Sequence, residues 1–190
     1  MKTAFIGLDY IVEITHPDGR MAAAAEQVQA RKVIENANRA LALARKKNWL
    51  SVLVKVGFEQ GYPNHPAHSR LFGKAHEAGL LEVGSAGMAF HPELDADLAD
   101  MVIVKPRVNA FYGTGLEPAL RARRIERVVL AGVSTAMAIQ SAARDAHDRD
   151  YEVLILEQAC AAASEADHRD SIRLLDSVAR VVTLEELEAL

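Results

Sequence analysis

Six short apolar runs punctuate this chain, and they lack the strict apolar–polar alternation of a half-exposed strand. They are Ala4–Leu8 (AFIGL), Trp49–Phe58 (WLSVLVKVGF), Met101–Val104 (MVIV), Arg127–Val133 (RVVLAGV), Tyr151–Leu156 (YEVLIL) and Ala179–Thr183 (ARVVT). A strand with one face in water alternates, whereas a strand buried on both faces reads as a continuous apolar run. Helical spacing fills most of the intervals. Met21–Lys47 is Ala-rich, contains no Gly or Pro, and reads as one long helix. Thr114–Arg124 places Leu116 and Leu120 four apart, and Thr135–Asp148 sets Ala, Met and Ile against Arg144, Asp145 and Asp148. Ser164–Val178 opens with Ser164 three residues before Asp167, a weakened capping box. Buried strands joined by helices require a parallel sheet covered on both sides. The expected fold is α/β: three layers, α/β/α, doubly wound on a six-stranded, mostly parallel sheet.

Composition sets the limits. At 190 residues and 50% apolar content, the chain fills one domain, 1–190, with a sizeable core. Its 22 basic and 26 acidic residues balance to −4 with no long same-sign run, so neither a nucleic-acid groove nor a polybasic membrane contact is expected. No apolar run approaches the roughly 18 residues of a membrane helix. Asp9 interrupts the apolar stretch that a signal peptide would need, and Cys160 is the lone cysteine. A cytoplasmic protein is the expectation.

The interval Glu59–His91 departs from the pattern. It holds two Pro, five Gly and four of the seven His, with weak periodicity around Leu71–Leu81. A long irregular insertion in a compact domain reads as a binding loop or lid.

In open parallel sheets ligands bind beyond the carboxyl ends of the strands. Asp9 ends the first strand, Lys105 the third, and Gly132-Val133-Ser134-Thr135 runs from the fourth into a helix. A carboxylate, an ammonium and a helix N-terminus thus share one edge. Asp at a strand end is also a common turn former, and Lys a common solvated terminus; their convergence is what singles them out. The first turn of a helix offers free N–H groups to an anionic group, and Ala136-Met137-Ala138-Ile139 keeps that turn apolar. Asp9 beside Lys105 favours ionisation of both, while burial opposes it.

These residues carry a resemblance. The strand ending in Asp9 is followed by Val104-Lys105-Pro106-Arg107-Val108-Asn109-Ala110-Phe111-Tyr112-Gly113-Thr114-Gly115-Leu116, then Gly132-Val133-Ser134-Thr135, Ala142-Ala143-Arg144-Asp145-Ala146 and Glu157-Gln158-Ala159-Cys160-Ala161-Ala162. In order and spacing the chain resembles the isochorismatase-like hydrolases, the superfamily that includes nicotinamidases and other cysteine amidohydrolases. The resemblance runs nearly end to end. It implies strand order 3-2-1-4-5-6, a cis peptide between Val133 and Ser134, a small-molecule substrate, and a homodimer or higher homo-oligomer.

Amidohydrolases of this superfamily use an Asp–Lys–Cys triad. Asp9 and Lys105 match two members, and the Cys position falls on Ala138, which offers no nucleophile. Cys160 lies after the fifth run, where the family commonly has a Cys, and reads as a packed structural thiol. Three readings stay open. Some members, isochorismatases among them, lack the Cys and cleave a vinyl ether; there Asp9 would act as general acid, with Lys105 and backbone N–H groups holding the polar end. The chain could instead be a catalytically silent ligand-binding homologue, or a cysteine amidohydrolase disarmed by Cys→Ala at Ala138.

Other chemistry finds less support. Ser134 or Thr135 as nucleophile lacks a Gly-x-Ser-x-Gly elbow. His65, His68, His76 and His91 suggest a metal, but Gly57-Phe58-Glu59-Gln60-Gly61-Tyr62 lacks the acidic-and-histidine pattern of metal-binding nicotinamidases, so no metal is expected. Gly113-Thr114-Gly115 lacks the third Gly of a dinucleotide fingerprint, and no cofactor is expected. Phe58, Tyr62, Phe72, Phe111 and Tyr112 flank the site or its lid. Of these, Phe58, Phe111 and Tyr112 join Ser134, Thr135, Arg107 and Asn109 as candidate substrate-binding residues. Ordinary packing under a long loop is the alternative for the aromatic group, and tying down the loop after Lys105 is the alternative for Arg107 and Asn109.

Overall fold

The computed structural model describes residues 1–190. Strand β1 (Thr3–Leu8) leads through a short α1 (Val12–Thr15) to α2 (Ala25–Ala30) and α3 (Val33–Lys46). Strand β2 (Leu50–Val56) enters the long insertion, whose only α-helix is α4 (Ala75–Ala78). Then follow β3 (Met101–Lys105), α5 (Leu116–Ala122), β4 (Arg127–Val133), α6 (Gln140–Asp148), β5 (Glu152–Ala161), α7 (Glu165–Leu175), β6 (Arg180–Val182) and α8 (Leu184–Glu188). All six strands are parallel, in the order β3-β2-β1-β4-β5-β6. The expected doubly wound α/β sheet is therefore present.

The order fixes the layers. The chain moves one way from β1 to β2 and the other way from β4 through β6, and right-handed crossovers then put the connecting helices on opposite faces. Helix α3 lies on β1, β2 and β5 with α8 beside it, while α6 and α7 lie together over β4 and β5. Strands β1 and β4 are buried along almost their whole length, which explains runs such as AFIGL and VVLAGV.

Two expectations need correction. The stretch 21–47 is two helices, not one. Lys32 adopts a left-handed φ of 53°, separating α2 from α3. The break faces an irregularity in β5. Between Leu130↔Ile155 and Gly132↔Cys160 the β4–β5 register slips, because β5 carries extra residues. The bulged backbone has carbonyls without ladder partners, and burial makes each one costly unless a donor is found. Tyr10 Oη donates to Ala159 O at 2.6 Å, Asn36 Nδ2 to Gln158 O at 2.9 Å, and Arg31 Nε to Cys160 O at 3.1 Å. Arg31 is the last position before the helix break, and its guanidinium also reaches Glu165 and His168. The second correction follows from the first: β5 runs ten residues, so Cys160 sits inside the strand rather than after it.

Three local signals differ in outcome. Ser164 caps α7, its Oγ accepting from Asp167 N at 3.1 Å, but Ser164 Oγ also donates to Asp167 Oδ2 at 2.7 Å, so the reciprocal half of a capping box is missing. The full capping box is at Thr183 and Glu186, opening α8. The helix expected from Thr135 begins with one wide turn, Thr135–Ile139, in which Ser134 O accepts from Ile139 N at 3.3 Å, five residues on. The Val133–Ser134 peptide is cis.

The insertion 59–91 is irregular, as its composition implies, yet it has a core of its own. Ile11, Val56, Phe58, Tyr62, Phe72, Ala75, Leu81 and Met88 pack as a separate buried cluster. A polar tie holds it down. The buried Glu13 carboxylate accepts from Arg20 N and Nε, both at 3.1 Å, and the same guanidinium donates to Ala78 O and Gly79 O.

At the end of β4 the backbone comes too close to β1 for any side chain. Gly132 has φ +149°, and a Cβ there would lie 2.3 Å from Leu8 O. Gly132→Ala is expected to cost about 3 kcal/mol or more, combining backbone strain with that clash. Urea denaturation of the variant beside the parent protein checks it, and a change within error of zero would contradict the close packing.

Candidate active site

Asp9 is the first residue beyond β1 and turns the chain with a left-handed φ of 59°. Its backbone N–H still reaches Val54 O at 2.7 Å, so the turn is anchored to β2. The carboxylate is anchored too: Oδ1 accepts from Val56 N at 2.7 Å, and Oδ2 lies 2.8 Å from Lys105 Nζ. Lys105 ends β3, and its side chain crosses the end of β2 to reach Asp9. Its Nζ also donates to Val108 O at 2.8 Å, leaving one N–H without a protein partner. The two side chains are 1% and 4% exposed, so this is a fully desolvated ion pair. Burial pushes the Asp9 carboxyl above its ordinary range; the Lys105 charge and the Val56 N–H pull it back without cancelling the rise.

The pair lines a cavity of about 140 Å³. Ser134 and Ala138 line the same cavity, so four of the expected site residues come together. Ser134 caps the wide turn with extended backbone, and its hydroxyl makes no hydrogen bond to the protein. In this turn Met137 N and Ile139 N both donate to Ser134 O, at 3.2 and 3.3 Å, so the donors left over are the N–H groups ahead of Met137. Ala138 contributes only a methyl group to the cavity wall. The rest of the wall is apolar: Ile14, Met21, Val56, Leu71, Phe72, Val108, Met137 and Val133. Nothing in the sequence marked most of these, because apolar wall residues and apolar core residues look alike until the fold separates them.

Other expected residues lie elsewhere. The Thr135 side chain faces away from the cavity: it is fully buried, with Oγ1 2.9 Å from His168 Nδ1. His168 Nε2 sits between the Arg31 guanidinium at 2.9 Å and Glu157 Oε1 at 3.2 Å, so the ring ties Thr135 to that charged pair. Burial and the Arg31 charge push the His168 pKa down, more than the Glu157 carboxylate pulls it up. Phe58 belongs to the core of the 59–91 insertion, and Phe72 is the ring that reaches the cavity. Phe111 is buried and stacks on Tyr151 with ring centroids 6.3 Å apart. A turn explains both shifts at 109–111: Asn109 Oδ1 accepts from Phe111 N and Tyr112 N, swinging Phe111 inward and Tyr112 outward.

Arg107, Asn109 and Tyr112 line a second, open groove of about 1060 Å³. It adjoins the cavity, sharing Leu71, Phe72, Val108 and Met137. Of the histidines in the insertion, His65 and His68 both border this groove, and His65 also hydrogen-bonds Phe72 O and packs edge-on to Phe58. His76 stacks on Tyr62, and His91 faces His16 on another side of the molecule. No three His, Cys, Asp or Glu side chains group as metal ligands.

Cys160 is fully buried, with Sγ 3.3 Å from Leu156 O. Burial pushes its pKa up to about 12, so it carries no thiolate at neutral pH. Iodoacetamide is expected to leave the native protein unmodified and to alkylate Cys160 stoichiometrically in denaturant; rapid native alkylation would contradict its placement in β5.

Comparison with known proteins agrees with this geometry. The sequence matches the isochorismatase domain family over residues 3–186. An uncharacterized isochorismatase family protein, YecD of Escherichia coli O157:H7, is 42% identical over 99 residues, 51% of this chain and 53% of its own length. The chain thus matches about half of that relative. The ureidoacrylate amidohydrolase RutB of Acinetobacter baylyi is 31% identical over 186 residues, 90% of this chain and 76% of its own. In fold, an isochorismatase family protein from Desulfovibrio vulgaris superposes with a TM-score of 0.88 at 21% identity, covering 99% of this chain and 97% of that one. The family match extends over nearly the whole chain, and the chain belongs to the isochorismatase-like hydrolases.

Proposed function

We propose that this chain hydrolyses a small organic molecule without a covalent intermediate, with Asp9 as general acid and Lys105 as its electrostatic partner. The observation that carries the reading is the cavity itself: a desolvated Asp9–Lys105 pair, an unpaired Ser134 hydroxyl and the methyl of Ala138 surround one space, with no thiol among them. Relatives named for amide hydrolysis, such as the ureidoacrylate amidohydrolases, support hydrolysis as the reaction type. A C–N substrate would need water as direct nucleophile here. A vinyl ether suits the site better, because its hydrolysis begins with a proton rather than a nucleophile.

Asp9 Oδ–H gives its proton to the terminal enol-ether carbon, leaving an oxocarbenium ion. Water adds to the cationic carbon and the hemiketal collapses to a carbonyl compound and an alcohol. The proton lost from water returns the carboxyl to its acid form, so the reaction consumes one water and needs no oxidant or metal. Burial raises the Asp9 carboxyl above its ordinary range, the direction a general acid requires. The Lys105 ammonium stabilises the carboxylate left after transfer, and its spare N–H, with the Ser134 hydroxyl, holds the polar end of the substrate.

The test is turnover of isochorismate, a vinyl ether, by the parent protein and by Asp9→Asn. General acid–base groups contribute typically about 10²–10⁴-fold, and a loss of that size in kcat is expected with the fold intact by circular dichroism. Retained turnover in the variant would remove Asp9 from the chemistry. Binding without turnover in both proteins would favour a silent ligand-binding homologue. The pH profile carries a sign. The acid form is the active one, so kcat/KM is expected to fall as pH rises through the raised Asp9 pKa. A rate that instead climbs with pH would assign Asp9 the role of base.

A further inference from the structure

Two walls of the Asp9 cavity come from separate parts of the chain, and one side chain joins them. Ile14 and Met21, either side of the turn that leaves α1, stand on one wall, and Leu71 and Phe72, from the insertion, on another. Beside each of the first two is a charged residue that the reaction does not use: Glu13 next to Ile14, and Arg20 next to Met21. The Glu13 side chain is 4% exposed, and its Oε1 accepts from both Arg20 N and Arg20 Nε. Gly87 makes room for this carboxylate, because a Cβ there would overlap Glu13 Oε2. Met21 N also donates to Glu13 O at 3.0 Å, so Glu13 fixes the end of the turn through main chain and side chain together.

The rest of the guanidinium crosses to the insertion. Its Nη1 and Nη2 donate to Ala78 O and Gly79 O at 2.8 and 2.9 Å, carbonyls at the C-terminal end of α4 that find no donor within the helix. These are the only hydrogen bonds between residues 12–24 and 59–85. Helix α4 is in turn bonded to the wall: Phe72 O accepts from Ala75 N at 2.8 Å, and both residues belong to one buried cluster. Arg20 therefore spans from one wall to the other. The planar fork of a guanidinium is what lets a single side chain meet a carboxylate and two carbonyls.

We infer that Arg20 is a specificity-determining positioning residue, which sets the separation of the two walls and with it the width of the substrate body admitted beside Asp9. An apolar cavity of about 150 Å³ holds one benzene-sized molecule. The volume here, about 140 Å³, matches a body of one six-membered ring and excludes a fused bicycle from the space beside Asp9. The inference rests on the reading that this cavity is the reaction site, but its test needs no turnover.

The probe is a thiol placed in the cavity wall by Ala138→Cys, with Cys160 buried and silent in the native protein. Its alkylation by iodoacetamide, benzyl bromide and 2-(bromomethyl)naphthalene is followed by mass spectrometry, each rate divided by that of glutathione. With Arg20 intact, the naphthyl reagent is expected to lag behind benzyl bromide by about tenfold or more, about 1.4 kcal/mol in the barrier. Adding Arg20→Gln is expected to remove that lag while changing the other two rates by less than about twofold. Because Arg20→Gln strands the buried Glu13 charge, Glu13→Gln with Arg20→Gln, which leaves no charge unpaired, is measured beside it. Circular dichroism checks the fold of both. A role confined to stability would instead lower the melting temperature and raise all three rates together. That result, a lag that persists in both variants, no lag with Arg20 intact, or a thiol that none of the reagents reaches would each overturn the proposal. Alkylation draws no proton from Asp9, so failed turnover of isochorismate leaves a positive result standing, and a negative result here leaves the acid role of Asp9 untouched.

Discussion

The desolvated contact between Asp9 and Lys105 organises this end of the molecule. An ion pair taken out of water costs several kcal/mol per charge, and Coulomb attraction offsets that only where hydrogen bonds complete both partners. Here they do. Val56 N–H and the Lys105 ammonium hold the two carboxylate oxygens, and Val108 O holds the ammonium in turn. The pair thus links the ends of β1, β2 and β3 and fixes the loop that follows Lys105. Removing one partner strands the other charge in an apolar wall, a loss of about 3–5 kcal/mol in comparable buried pairs. The same contact sets the chemistry. A carboxyl that burial lifts above its ordinary range can carry a proton, and the neighbouring ammonium stabilises what remains once the proton has left.

How much of this was legible in the sequence follows from the physics of each signal. The sheet was readable because strands buried on both faces have to be apolar throughout, and Asp9 and Lys105 stood out as charges placed where such runs stop. Ser134 followed from the strand-to-helix junction. The apolar wall was not readable: Met21, Leu71 and Met137 look like ordinary core residues, and only the folded lid reveals that they face a cavity. Aromatic residues misled in the opposite direction. Phe58 and Phe111 lie close to the site in sequence, but the lid core and the Asn109 turn take them away from it.

The break after Arg31 shows why local pattern fails at long range. No Gly or Pro marks it, and the left-handed Lys32 there sits beside Arg31, which reaches a carbonyl of the bulge in β5. Arg31, Asn36 and Tyr10 are the donors to that bulge, all distant in sequence. Thr135 belongs to the same web through His168, which explains why a hydroxyl next to Ser134 points away from the cavity that Ser134 lines. The bulge therefore determines indirectly which polar groups of the first turn remain available to a ligand.

Proton donation to carbon is the step that separates this account from covalent hydrolysis, and isotope placement reports it directly. The decisive measurement is hydrolysis of isochorismate by the parent protein in D2O, with mass spectrometry and NMR of the released keto acid before exchange. Transfer from Asp9, equilibrated with solvent, predicts one carbon-bound deuterium in the new methyl group. Because every route to the keto acid takes that hydrogen from solvent, the same deuterated product formed by Asp9→Asn at an undiminished rate would contradict general-acid catalysis by Asp9.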